Sequence, residues 1–195
     1  MARFLLGVVI GIILIPLAAF AYFKSGNVPV AVGDKPFPYE RLVTHIPLNA
    51  RIDRELVKTP PVAADESAFV AGAHIYAEQC AMCHGLHGKP SVTGKHEFPA
   101  APPLWEKHRH GDVVGVSDEP PGETYWKVAN GIRLTGMPAY KEVLSETQMW
   151  QVSLLLANAD KPLPPSVIAI LNGDTAPTAA ASVAPAQPKP THPKK

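Results

Sequence analysis

The longest run of uniform character in the chain is apolar and comes first. Phe4 to Phe23 holds no charged residue across 20 positions. As a helix rising ~1.5 Å per residue it reaches ~30 Å, the thickness of a bilayer's hydrocarbon core. Arg3 precedes it, and Tyr22 and Phe23 stand at its far end, where interfacial aromatic residues gather. Residues 1–24 therefore read as a single transmembrane anchor. Because positive charge stays with the cytoplasm, the rest of the chain is placed on the outer side of the membrane. A cleaved signal peptide is the alternative, since Ala19-Phe20-Ala21 fits a small-x-small cleavage site, but the apolar run is longer than a typical signal core. Both readings export the remainder of the protein.

Residues 25–64 change character. Prolines 29, 36, 38, 47, 60 and 61 punctuate this linker, and Tyr39–Ile46 and Leu48–Val57 show helix-compatible apolar spacing broken at Pro47. Two short helices, docked on a folded domain or on the membrane surface, are expected. Regular helical periodicity begins at Asp65, a candidate N-cap for a helix through Phe69, Val70, Ala73 and Tyr76. Gly122–Ala129 predicts a shorter helix. Ser145-Glu146-Thr147-Gln148 is a capping box, followed by Met149, Trp150, Val152 and Leu154–Leu156. Gly72 lies on one face with Tyr76. A glycine inside a helix costs ~1 kcal/mol relative to alanine, so Gly72 predicts the close approach of a second helix, that after Ser145. Alternating β-branched runs are few. The domain over residues 65–161 is thus expected to be all-α, with three to four helices. From 162 to 195 a last possible helical turn gives way to Ala, Pro and Thr, too poor in apolar residues to fold.

Composition narrows the function. The 195 residues carry 18 basic and 17 acidic side chains, a formal charge of +1, which argues against a nucleic-acid partner. That total conceals an acidic centre. From Asp65 to Asp160 there are seven Lys/Arg against twelve Asp/Glu, a local −5, while both flanks are mildly basic. Two cysteines cannot build a disulfide framework.

Both cysteines stand in Cys80-Ala81-Met82-Cys83-His84, the C-x-x-C-H arrangement of covalent c-type haem attachment. On a helix, residues three apart differ by ~300°, so the two thiols project from one face about a turn apart. There they can bond the two vinyl-derived arms on one edge of a porphyrin, with the His84 imidazole under the ring as the proximal ligand to iron. A thioredoxin-like disulfide would want a βαβ context, and none is visible. Zinc would want four ligands, and no paired second half is present. A buried haem c would also supply the apolar centre that three or four helices on ~95 residues lack.

Methionine is a soft axial donor to haem iron. Met1 opens the chain, Met82 is trapped inside the attachment motif, and Met149 lies on an amphipathic helix as core. Met137 remains, in the turn Gly136-Met137-Pro138-Ala139-Tyr140, and is the expected distal ligand. His96, His108 or His110 could take that place instead. Arg133 could grip a haem propionate or be an ordinary surface arginine.

Together these residues make the stretch from about Asp65 to Asp160 resemble a small, monohaem, His/Met-ligated class I cytochrome c of the membrane-anchored bacterial type. Gly72-x-x-x-Tyr76 resembles that family's first helix, Cys80–His84 its haem site, Asn130-Gly131 with Gly136–Tyr140 its methionine loop, and Trp150 its last helix. The resemblance implies the cytochrome c fold around one covalently bound haem c. It implies Gly72 and Tyr76 packed near Trp150, and the Pro102 carbonyl accepting the His84 Nδ1 proton. The segment from Gly85 to Pro121 departs from the family pattern, and Leu154–Leu156 stand where an aromatic is often found. Iron held on both sides has no open position for a small-molecule substrate. The expected function is therefore single-electron transfer between redox partner proteins of a respiratory chain. Two alternatives stand beside it: a haem enzyme or sensor with a labile sixth ligand, and a haem-bearing subunit of a larger oxidoreductase.

Overall fold

A computed structural model describes residues 1–109 and 111–174; His110 and the tail from 175, with the disorder expected there, lie outside the described residues. The described residues form eight helices: α1 (Ala2–Lys24), α2 (Glu40–Glu55), α3 (Glu66–Gln79), α4 (Ala81–His84), α5 (Val92–Lys95), α6 (Pro121–Asn130), α7 (Glu146–Leu156) and α8 (Pro165–Asn172). Among them there is no strand, only the isolated bridges Leu86↔Lys89 and Lys107↔Val114. The chain divides into two compact units between Val43 and Thr44.

The first unit is dominated by α1, whose side chains are almost all exposed and whose 23 residues are long and apolar enough to cross a membrane. Pro16 lies inside it, as membrane-spanning helices tolerate. The Ser25 hydroxyl closes its end by donating to the Tyr22 carbonyl at 2.7 Å.

The second unit begins within α2, and here the structure differs from the expected pair of helices. Pro47 does not break α2. Proline removes one backbone donor, and the far half of the helix is anchored independently. Ile52 is buried, and Arg51 pairs with Glu55 at 2.5 Å. Trp126 on α6 donates its indole N–H to Glu55 at 3.0 Å. Gly122 lies against the Val57 carbonyl so closely that a Cβ there would collide with it. Residues 44–57 thus form part of the second compact unit.

α3 starts where Asp65 caps it, accepting from the Ala68 N–H at 2.9 Å. α7 starts at the complete capping box of Ser145 and Gln148. These two helices pack face to face at Gly72, whose hypothetical Cβ would stand 2.5 Å from the Gln151 carbonyl oxygen and 3.2 Å from Leu155 Cβ. The contact falls at the residue after Trp150, whose indole stacks on Tyr125 of α6 at 4.2 Å and 9°. Tyr76 meets Trp105 edge-on at 5.5 Å.

α8 was expected as no more than a helical turn at the start of a disordered tail. It closes the core instead: Val167, Ile170 and Leu171 are buried, and Ser166 donates to Glu66 of α3 at 3.0 Å. Pro165 opens it and Gly173, left-handed at φ 76°, ends it. Lys127 of α6 is gripped by Glu119 at 2.7 Å and Glu123 at 2.9 Å. Burial would push its ammonium down, but the two carboxylates outweigh that and hold it above its usual range.

Gly72→Ala raises intrinsic helix propensity, yet it should lower stability by ~1–3 kcal/mol in denaturant titration, because the obstacle is backbone and cannot swing away. A second prediction concerns acid. Arg51 and then Trp126 hold the Glu55 carboxyl down at about 2, from an ordinary 4.5. Its contribution to docking residues 44–57 is therefore complete above about 4.5 and is lost as pH falls through about 2. Tryptophan fluorescence should report that transition, and Glu55→Gln should flatten it.

Candidate cofactor site

Cys80 terminates α3, its N–H bonded to the Tyr76 carbonyl, and the chain then makes one further helical turn, α4. The N–H groups of Cys83 and His84 both bond to the Cys80 carbonyl, at 3.2 and 2.9 Å. Cys80, Cys83 and His84 are therefore carried on a single turn. Gly85 stops it at φ 78°, and its carbonyl accepts the buried Tyr76 hydroxyl at 2.6 Å. An added Cβ on Gly85 would lie 2.8 Å from the Lys89 carbonyl oxygen, so the reversal at 86–89 requires glycine.

Both thiols are free and both are held above their ordinary range. Burial, with Cys83 adding to it, pushes Cys80 up to about 12. Cys83 is raised first by its hydrogen bond with Glu97, then by burial. A redox dithiol or a zinc site needs an accessible thiolate, which these surroundings oppose. Among the described residues, moreover, no group of three or more His, Cys, Asp or Glu side chains is placed to hold a metal ion.

His84 Nδ1 lies 2.8 Å from the Pro102 carbonyl oxygen. A carbonyl can only accept, so Nδ1 carries the proton and the lone pair is left on Nε2. That is the tautomer and ring orientation an iron ligand needs. Pro102 is brought there by residues that sequence reading missed. Ser91 caps α5, accepting from the Gly94 N–H at 2.9 Å and donating to the Met82 carbonyl at 2.5 Å. Gly94 packs onto the Cys83 carbonyl where no Cβ would fit, and its own carbonyl accepts the Ala101 N–H at 2.9 Å. Leu104 and Trp105 then enter the core. The Ser91-x-x-Gly94 cap was a readable signal; its role against the attachment turn was not.

Met137 sits on a loop fastened at several points. Its N–H bonds to the Thr135 hydroxyl at 3.1 Å, and its carbonyl accepts the Ile132 N–H at 3.2 Å. The Tyr140 N–H returns to Val128 of α6 at 3.0 Å. The Tyr140 hydroxyl donates to the Gln79 carbonyl at 2.8 Å, latching the loop to the residue before Cys80. Burial, then the neighbouring Cys80 and Cys83, push that hydroxyl above its usual range. Met137 is half-buried against the core, whereas Met82 is 74% exposed and Met149 is buried within α7. His87, His96, His108 and Arg133 are exposed, and His74 is half-buried.

The donor set fits a c-type haem: two adjacent thiols, an imidazole with a fixed tautomer, and a thioether on a loop tied to the same helix end. Tyr140→Phe should cost about 0.5–1.5 kcal/mol of stability in denaturant titration, since it removes one hydrogen bond and leaves the Gln79 carbonyl unpaired.

Residues 67–154, from the first turn of α3 into α7, match the family described as cytochrome C oxidase, cbb3-type, subunit III. No curated protein and no solved structure matches the chain. A cytochrome c domain implies haem c, and the two cysteines stand in the C-x-x-C-H motif that binds it. That stretch is a cytochrome c domain similar to this family, and with the N-terminal apolar helix ahead of it, long enough to span a membrane, the chain fits a membrane-anchored, monohaem class I cytochrome c.

Proposed function

We propose that this chain is a membrane-anchored carrier of single electrons. In this reading Cys80 and Cys83 would hold one haem c covalently, and His84, through Nε2, and Met137 would supply the ligands to its iron. The observation that carries the reading is the hydrogen bond from His84 Nδ1 to the Pro102 carbonyl at 2.8 Å. It leaves Nε2 as the nitrogen available to a metal, which supports the reading. When bound, haem c supplies a ferric/ferrous couple, and Met/His ligation sets that couple high.

The chain's own residues do the rest. The turn Cys80–His84 presents sulfur and nitrogen on one rigid support, and the protonated thiols stay unreactive until they are capped. The Tyr140 latch keeps the Met137 loop against that support, so the second ligand is held by structure rather than by the metal alone. With both His84 and Met137 as ligands, the iron would offer no open place to peroxide or oxygen. The acidic balance of the domain favours redox partners with neutral or basic docking patches. Tethering by α1 at the outer face of the membrane would raise the local concentration of the domain around membrane redox complexes of a respiratory chain. The same arrangement serves a free-standing carrier or a haem-bearing oxidase subunit.

Met137→Ala tests the ligand set. The ferric sulfur-to-iron absorption band should vanish, the potential should fall, and cyanide should bind the ferric protein at least about tenfold faster, as for an opened coordination site. Unchanged spectra and cyanide kinetics would overturn methionine ligation and favour an open-site haem enzyme or a histidine ligand.

A further inference from the structure

Glu97 belongs to no helix and to no ligand set, yet it lies between the attachment turn and the methionine loop. Its N–H points to the carbonyl of Gly94, the residue packed on the Cys83 carbonyl. Its carboxylate lies near enough to the Cys83 thiol to hold that thiol above its ordinary range. On its other side Gly136, the residue before Met137, makes room for it: a Cβ there would stand 2.7 Å from Glu97 Oε2 and 3.0 Å from its Cδ. Glu97 is half-buried, and among the described residues no cation pairs with it; the domain's ion pairs lie at Arg51–Glu55, Arg54–Glu55, Lys107–Asp112 and Lys127.

A carboxylate without a counter-cation, partly withdrawn from solvent, exerts a field that salt screens only weakly. The ferric form of a haem bears one more positive charge than the ferrous form, so a nearby anion favours the oxidised state. We infer that Glu97 sets the potential of this centre: its carboxylate, held between Cys83 and Gly136, stabilises the oxidised state of a haem attached at Cys80 and Cys83 and so lowers its reduction potential. One electron enters from a reduced partner and leaves to an oxidised one; no bond or proton at Glu97 changes. The inference rests on the haem reading above, and it makes Glu97 a positioning charge rather than a ligand.

The test is optical redox titration of the full-length, haem-loaded protein in detergent. Glu97→Gln removes the charge at nearly constant shape. At a fixed ambient potential it should lower the ferric-to-ferrous ratio about tenfold, an upward shift of about 59 mV for a one-electron couple. Glu97→Asp should restore the ratio to within about threefold. Glu66→Gln makes the same charge change at the far end of α3, ~20 Å along the helix axis, and should shift the ratio less than about twofold. A purely structural role would move the denaturation midpoint and the ferric sulfur band; a charge role leaves both in place while the potential moves. If Glu97→Gln does not mature, Glu97→Ser is read the same way. A ratio within about twofold of wild type in a haem-loaded charge-removing variant, or an equal shift in Glu97→Asp, overturns the role of Glu97 alone. A wild-type preparation without covalent haem overturns the haem reading and this inference together.

Discussion

The approach of Gly72 to the Gln151 carbonyl is the contact on which the rest of the domain depends. It sets the distance between α3 and α7, and α3 ends in the very turn that carries Cys80, Cys83 and His84. Every other part of the site is referred to that turn. Tyr76 closes onto Gly85 below it, Gly94 packs on the Cys83 carbonyl beside it, and Tyr140 latches the methionine loop to its first residue's neighbour. A looser pair of helices would leave two thiols and an imidazole on a fraying helix end, where no fixed tautomer or second ligand would be held.

The periphery of the domain is built by a different logic. Both α2 and α8 supply apolar area that a short chain otherwise lacks: Ile52 from the first, Val167, Ile170 and Leu171 from the second. Small domains bury too little surface to be secure without such additions or a cofactor. Here both are used. Polar anchoring accompanies each addition, with Glu55 on Trp126 and Ser166 on Glu66, so these segments are oriented as well as attached.

Electrostatics divide along similar lines. Lys127 is wrapped by two carboxylates and is a structural fastening of α6. Glu97 is the contrasting case, an acid beside the Cys80–His84 turn with which no cation pairs among the described residues. One arrangement cancels charge locally to hold a loop, and the other leaves charge in place where an electron is to be gained or lost.

The amino-acid sequence alone determined what is local. The apolar span of α1, the Asp65 cap, the capping box at Ser145, the C-x-x-C-H turn and the turn residues around Met137 each depend on neighbours a few positions apart, and such patterns are written directly in the chain. The helix through Pro47 and the burial of α8 were not legible, because each depends on a partner surface far away in sequence that outweighs a weak local preference. The same holds for Pro102. Its part came only through family resemblance, since nothing in Pro-Pro-Leu says which imidazole its carbonyl will meet; the fold at Ser91 and Gly94 decided that. Glu97 was invisible for the strongest form of this reason: its two neighbours, Cys83 and Gly136, lie 14 and 39 positions away, and only the folded chain brings a charge, a sulfur and a missing side chain together.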